Sequence, residues 1–284
     1  MLNIFKKKPS ETQEAMKGLF DGFELQSFPA LIMEVLSDLR DPDHSLGNIA
    51  RKLEGDPGMT VKILRTVNAA GFGLSKQATN LHGAISMMGH VRLETILLTQ
   101  AVKGSLPYTK APHFSMKQFW VSAAQRGCLA RAVAQKLHPA TQVEAFTAGL
   151  LQDMAVPVLI RQRQEAYSDI LATMQSCTHW LHDLENDRFS FDHTDVGGHM
   201  AREWNLPKYL AEAISFHHHD DDDSGVELEP GVRLASLIRT DTGEVSLAPL
   251  IAMAKDEYDL DKQVMTTLLT SAFADAEQFA QQFS

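Results

Sequence analysis

Residues 115–137 read SMKQFWVSAAQRGCLARAVAQKL, and their spacing sets the fold class. Phe119, Ala123, Gly127, Ala130, Ala134 and Leu137 recur at intervals of three and four, the period of an α-helix, and fall on one stripe. Lys117, Gln125, Arg131 and Gln135 lie off it. The seam is made of small residues, Ala123, Ala124, Gly127, Ala130 and Ala134, over which a second helix can approach closely. The stretch therefore predicts a long helix at the centre of a helical protein.

The same period runs outward in both directions. Upstream, Asp56 before Pro57 is an N-cap with proline at the first helical position, opening a helix through MTVKILRTVNAA to Gly71. Ser45 opens LGNIARKLEG and Gly55 closes it; Pro29 leads into ALIMEVLSDL, which ends before Asp41-Pro42. Two shorter amphipathic runs follow, around 80–88 and 91–103, and Leu106 to Pro112 is a link. Downstream the periodicity predicts helices near 142–154, 164–186, 194–204 and 207–219, then two or three more, the last over 261–282. No hairpin signal, internal repeat or low-complexity tract interrupts them. The expected organisation is all-α: a flexible basic and polar tail (1–13), an N-terminal helical subdomain (14–105), and a second helical subdomain with C-terminal helices (113–284).

Composition narrows the function. The chain has 284 residues, 26 Lys and Arg against 36 Asp and Glu, for a formal net charge of −10. Nucleic acid is not the expected partner, because phosphate binding needs clustered bases. Ser45 to Ala70 has the outline of two helices across a turn, with Lys62 and Arg65 on one face. Its opening helix, however, sets Arg51 and Lys52 against Glu54 and Asp56, and any small bundle has that outline. Lys6, Lys7 and Lys8 read as part of the solvated tail, and the acidic run Asp220 to Asp223 as a solvated loop. Cys128 and Cys177 are too few for a disulfide framework and read as reduced. With no signal-peptide core at the start and no apolar window read as long enough for a membrane span, a cytoplasmic, non-membrane protein is expected.

Phosphate loops, the serine-hydrolase elbow, the HExxH zinc motif and paired Cys-x-x-Cys are all absent from the sequence. Histidines are the distinctive feature. His217, His218 and His219 end the helix that begins LPKYLAEAISF, where helical neighbours can splay to either side of one ion. His193 lies just before a helix in FDHTDVGGHMAREW. Asp153 ends the apolar AFTAGLLQDMA, where a carboxylate is costly without a partner. His179 and His182, beside Asp183 and Glu185, read as solvated surface.

These residues carry a family likeness. WVSA (120–123), AFTAGLLQDMA (145–155), FDHTDVGGHMAREWNLP (191–207) and AEAISFHH (211–218) resemble, in that order, the HD superfamily of metal-dependent phosphohydrolases. The N-terminal half, FPALIMEVLSDLRDPDHSLGNIARKLEGDPGMTVKILRTVNAAGFGL (28–74) with AISMMGHVRLETILL (84–98), is similar to the HDOD family, the HD-related output domain of bacterial signalling proteins. The resemblance implies an HD-like helical bundle packed against an N-terminal helical subdomain. In catalytic relatives, histidines, a His-Asp doublet and a late aspartate hold metal that activates water against a phosphoester. Here the first histidine is missing near Val121 and Ser122, the doublet is Gln152-Asp153, and Ser236 stands where an aspartate is expected. An amide and a hydroxyl replace imidazole and carboxylate poorly, so two-metal hydrolysis is not expected and no catalytic residue is assigned. Asp153, His193, His217 and His218 remain as a residual site for one divalent transition-metal ion, which folding does not require. The resemblance implies a non-catalytic signalling module acting through a protein partner or a small bound ligand. The rival is a metal-dependent phosphohydrolase acting on a nucleotide or cyclic dinucleotide.

Overall fold

The computed structural model describes residues 26–280 other than 28, 42, 69–76, 177–178, 220–224 and 243, together with Met16, Gly18 and Leu19. The basic tail, Gly71, Cys177 and the acidic run 220–223 lie outside the described residues. Among those described, every regular element is a helix, and the β-type pairings are isolated bridges at Ala111–Phe114 and Ile238–Val245. The chain is all-α, as its periodicity predicts.

Local chemistry starts the N-terminal helices. α1 spans Ala30–Arg40, behind Pro29. Ser45 accepts from the Asn48 N–H to open α2 (Leu46–Glu54), and Asp56 accepts from the Met59 N–H to open α3 (Pro57–Val67). The two runs read over 80–88 and 91–103 are limbs of one helix, α4 (Leu81–Ser105), bent where Gly89 takes a φ of +74°.

α5 (Met116–Leu137) is the central helix, and its small-residue seam is in use. A Cβ on Gly127 would stand 2.9 Å from the Phe146 carbonyl oxygen of α6 (Gln142–Leu151). One on Gly231, in α12 (Pro230–Ala235), would stand 2.3 Å from the Ala130 carbonyl oxygen. The final helix, α14 (Lys262–Ala280), also packs on α5, with Arg131 paired to Asp275 at 2.8 Å. The buried apolar residues of all these elements form one continuous core.

Two of the predicted runs are interrupted by turns. The run read over 142–154 stops at Leu151, passes through a turn at 152–155, and resumes as α7 (Val156–Gln162). Pro157 accounts for the break: it has no N–H to give the carbonyl four residues back and its ring crowds that carbonyl, which disfavours a continuous helix, whereas the first turn of α7 accepts it. The run read over 164–186 is two helices, α8 (Gln164–Ser176) and α9 (Leu181–Phe189), with Trp180 extended between them. In one straight helix Tyr167 and Glu185 would lie about 27 Å apart along the axis; here their side chains are hydrogen-bonded. α10 (His193–Glu203), α11 (Lys208–Phe216) and α13 (Leu247–Tyr258) complete the set.

Pro139–Gln162 also corrects the reading that no window has the apolar character of a membrane span. Its mean hydropathy reaches 1.4, but 89% of that window is buried inside the molecule, and the turn at 152–155 breaks it. It is core.

Candidate functional site

Each residue of the predicted set sits at a helix end. Asp153 lies in the turn that Pro157 forces after α6. His193 is the first residue of α10, inside the helix rather than before it. Its position is fixed by a capping box in which Asp192 accepts from the Thr194 and Asp195 N–H groups and Asp195 accepts from that of Asp192. α11 ends at Phe216, three residues short of the prediction, so His217 and His218 follow it in the turn. These three helix ends bring one ligand atom each from Asp153, His193, His217 and His218 within 4.8 Å of one another. His219 is exposed and stays outside.

The hydrogen bonds fix which ring nitrogens face the centre. His217 Nδ1 lies 3.0 Å from the Ile214 carbonyl and 3.2 Å from that of Ala213. Carbonyls only accept, so Nδ1 carries the hydrogen and Nε2 the lone pair. His193 Nδ1 lies 2.6 Å from Glu185 Oε2, which also accepts from the His193 backbone N–H at 2.9 Å. The inward-facing Nε2 atoms are 3.3 Å apart, and Asp153 Oδ1 is 3.1 Å from that of His217 and 3.6 Å from that of His193. Three acceptors crowded together need a cation among them. Asp153 Oδ1 has no donor of its own.

Around this centre lies a shell that sequence reasoning missed. Glu185 and Tyr167 are fully buried, and the Tyr167 hydroxyl donates to Glu185. Arg126, fully buried on α5, sets Nη1 3.0 Å from Asp153 Oδ2, which Thr240 also donates to. The reading of this face as solvated surface is wrong for Glu185, which is fully buried, and holds only in part for His182, whose side chain keeps 22% exposure, while His179 is exposed as read. The His182 ring stacks on that of His218 with centroids 4.1 Å apart, and Glu185 orients His193. Sharing one face of α9 at i and i+3 was the available signal.

The site polarises its own groups. Burial, the largest single influence, would raise the Asp153 carboxyl, but the Arg126 guanidinium, His217 and His193 together outweigh it and hold the group well below the usual carboxylate range. Burial pulls His193 down, yet the carboxylates of Glu185, Asp153 and Asp192 more than offset it and hold the imidazole up at about 9. Burial lowers His217, pushes His218 well down, and takes His182 to about 4. Without metal, the central cation at neutral pH is therefore the proton of His193.

The donor chemistry fits one transition-metal ion. The imidazoles of His193 and His217, with outward nitrogens held by a carboxylate and by carbonyls, together with that of His218 and one free carboxylate oxygen form an N3O set. It does not fit two. Arg126 occupies the other face of Asp153, the Ser236 hydroxyl is used on the Arg233 carbonyl, Ser122 on that of Gln118, and Gln152 offers only an amide. The space beside the cluster, lined by Trp180, His182, His193, His218, Arg239 and Thr240, is only about 20 Å³. That admits a water and excludes a nucleotide.

Known proteins place this geometry. Residues 25–220 match the HDOD domain. A curated "Uncharacterized protein" of Treponema pallidum (strain Nichols) is 25% identical over 199 residues, covering 69% of this chain and 38% of that protein. The chain thus spans well under half of that relative's length. Among solved structures, the fold is similar to a "Putative phosphohydrolase" of Shewanella amazonensis SB2B, with a TM-score of 0.76 and 20% identity over 95% of this chain and 98% of that one. It is also similar to a "Putative signal transduction protein" of Marinobacter aquaeolei VT8, with a TM-score of 0.71 and 15% identity over 96% of this chain and 65% of that one. The match to the HDOD domain spans well over half of the sequence, including every residue of the His/Asp cluster, and the chain belongs to the HDOD domain family.

Proposed function

We propose that this chain is a non-catalytic signalling module that acts through a protein partner or a small bound ligand, with its His/Asp cluster holding at most one divalent transition-metal ion. The observation that carries this reading is the narrowness of the space at the cluster: among the described residues it amounts to about 20 Å³, too little for a phosphoester beside His193 and His218. Structural metal sites are closed in this way, whereas catalytic ones keep a position open to substrate. The missing ligands at Ser122, Gln152 and Ser236 support the same reading. The name of the Marinobacter protein agrees with it, and that of the Shewanella protein with the rival.

The rival is a metal-dependent phosphohydrolase, and the cluster's fixed tautomers speak for it. An ion held there by Asp153 and the histidines would supply Lewis acidity and lower the pKa of a bound water. A panel of nucleotides and cyclic dinucleotides, incubated with untagged protein alongside elemental analysis, separates the two. The signalling reading expects at most one equivalent of metal, lost in an Asp153→Ala, His193→Ala double variant, and no turnover above that of the variant. Hydrolysis that Asp153→Ala abolishes would overturn it.

A further inference from the structure

Of the four cluster residues, Asp153, His193 and His217 are buried and His218 alone is half-buried. A way in from solvent therefore passes over His218, and the residue lying on it is His182 of α9, the two rings stacked with centroids 4.1 Å apart. The narrow space of about 20 Å³ at this point is lined by exposed His179, by His182, and by His218 and His193, so it leads from the surface to the cluster. It holds about one water-sized sphere. A metal ion with a full shell of waters does not fit, and shedding that shell is costly unless other donors take its place at the mouth.

His182 is free to do this in a way that its neighbours are not. His193 and His217 each commit Nδ1 outward, to Glu185 and to carbonyls. The His182 ring makes no hydrogen bond among the described residues: Nδ1 has no partner, and Nε2 stands 3.5 Å from Asp183 Oδ1. That separation is long for a hydrogen bond, but it matches two donors each about 2.1 Å from one tetrahedral ion. Asp183 is exposed, which sets the pair at the solvent side of His218. Arg239 lines the same space, but Asp241 holds its guanidinium at 3.1 and 3.0 Å and offsets its charge.

We propose that His182 and Asp183 form the entry port through which a divalent transition-metal ion reaches the His/Asp cluster. Two protein donors replace waters without retaining the ion, and the four donors deeper in retain it. The port rests on the reading that the cluster holds one ion. Groups that bind only in transit lower the barrier equally in both directions, so they speed uptake and release and leave the affinity as it is.

That signature is measurable. Metal-free, untagged full chain is mixed with Zn²⁺ in a stopped-flow instrument and read with a fluorescent zinc indicator, in about 150 mM salt to screen the net charge. Release is followed into excess EDTA, and the Kd comes from chelator competition. His182→Phe keeps a ring against His218 and removes both nitrogens. It should slow uptake and release about tenfold each, a barrier change of about 1.4 kcal/mol, with the Kd unchanged. Should it fail to fold, the exposed Asp183→Asn is the second variant, expected to slow both a few-fold, while Asp187→Asn, an equal loss of charge on the exposed face of α9, leaves them unchanged. Unaltered rates, a weakened Kd with unaltered uptake, or equal effects of Asp183→Asn and Asp187→Asn would each overturn the port while stoichiometric uptake leaves the single-ion reading standing. Uptake no greater than that of the Asp153→Ala, His193→Ala double variant would overturn both. The hydrolysis panel is untouched by any of these outcomes and decides between signalling module and hydrolase.

Discussion

Replacing Asp153 with asparagine keeps the side chain's shape and removes its charge, leaving the Arg126 guanidinium buried without a counter-ion. At 3.0 Å between Nη1 and Oδ2, the Coulomb attraction is about 5 kcal/mol for an effective dielectric near 20. Desolvation offsets much of that when the pair forms, but it is not recovered when one partner is lost, so Asp153→Asn should cost about 3–5 kcal/mol. Arg126→Met should cost less, about 1–3 kcal/mol. It leaves Asp153 with Thr240 and the His193 imidazolium, and it removes a guanidinium whose Nε and Nη2 have no partner among the described residues. In the double variant neither charge is stranded, and its loss should fall short of the sum by about 2 kcal/mol. Urea titrations of the four proteins with chelator present, followed by circular dichroism, give the cycle. Losses additive to within about 0.5 kcal/mol would refute the reasoning that one buried pair anchors α5 to the turn carrying Asp153.

Metal at the cluster must displace the proton that His193 holds up to about 9, so Zn²⁺ affinity should rise about tenfold per pH unit from 6.5 to 8.5; a flat profile from chelator competition would remove His193 from the ligands. The same group makes metal-free stability fall with pH. A base raised from 6.5 to about 9 contributes fully below 6.5 and loses its contribution as the pH climbs through 9, which is about 3 kcal/mol for this shift; Glu185→Gln should flatten that slope in urea midpoints. Gly231→Ala drives a Cβ to 2.3 Å from the Ala130 carbonyl oxygen, which is backbone and cannot swing aside, so a loss of about 1–3 kcal/mol is expected in thermal melts. Burial pushes the Cys128 thiol up to about 12, so in a Cys177→Ser background iodoacetamide should label nothing by mass spectrometry until the protein is unfolded.

The parts of the fold that local chemistry decides were legible. Ser45 and Asp56 cap the helices they were read to cap, and the stripe from Phe119 to Leu137 is the central helix. Breaks were harder. The one at 152–155 had a signal in Pro157, outweighed by the apolar run before it. The one between α8 and α9 had none, because neither glycine nor proline occurs from Gln164 to Phe189. Tertiary packing made that break, folding α9 back so that Glu185 meets both Tyr167 and His193. Burial then followed from a contact the sequence could not display: a glutamate among Asp183, Asp187 and Arg188 has the pattern of a solvated helix face.

The same limit explains which half of the site was readable. Motif order marked Asp153, His193, His217 and His218, whereas the groups that set their charge come from α5 and α9. Arg126 is the most consequential of these. A two-metal centre places its second dication about 3.5–4 Å from the first, sharing the same carboxylate. Here that ion would meet a fixed guanidinium 3.0 Å from Asp153 Oδ2. A dication about 4 Å from a unit positive charge is repelled by about 8 kcal/mol at an effective dielectric near 20. Gln152, Ser122 and Ser236 bring no negative charge to offset it. A single ion held by Asp153 and the histidines would take the place of the His193 proton, so it would add one net positive charge instead of two. The buried charges thus suit the cluster to exchanging the His193 proton for one metal ion rather than to holding two.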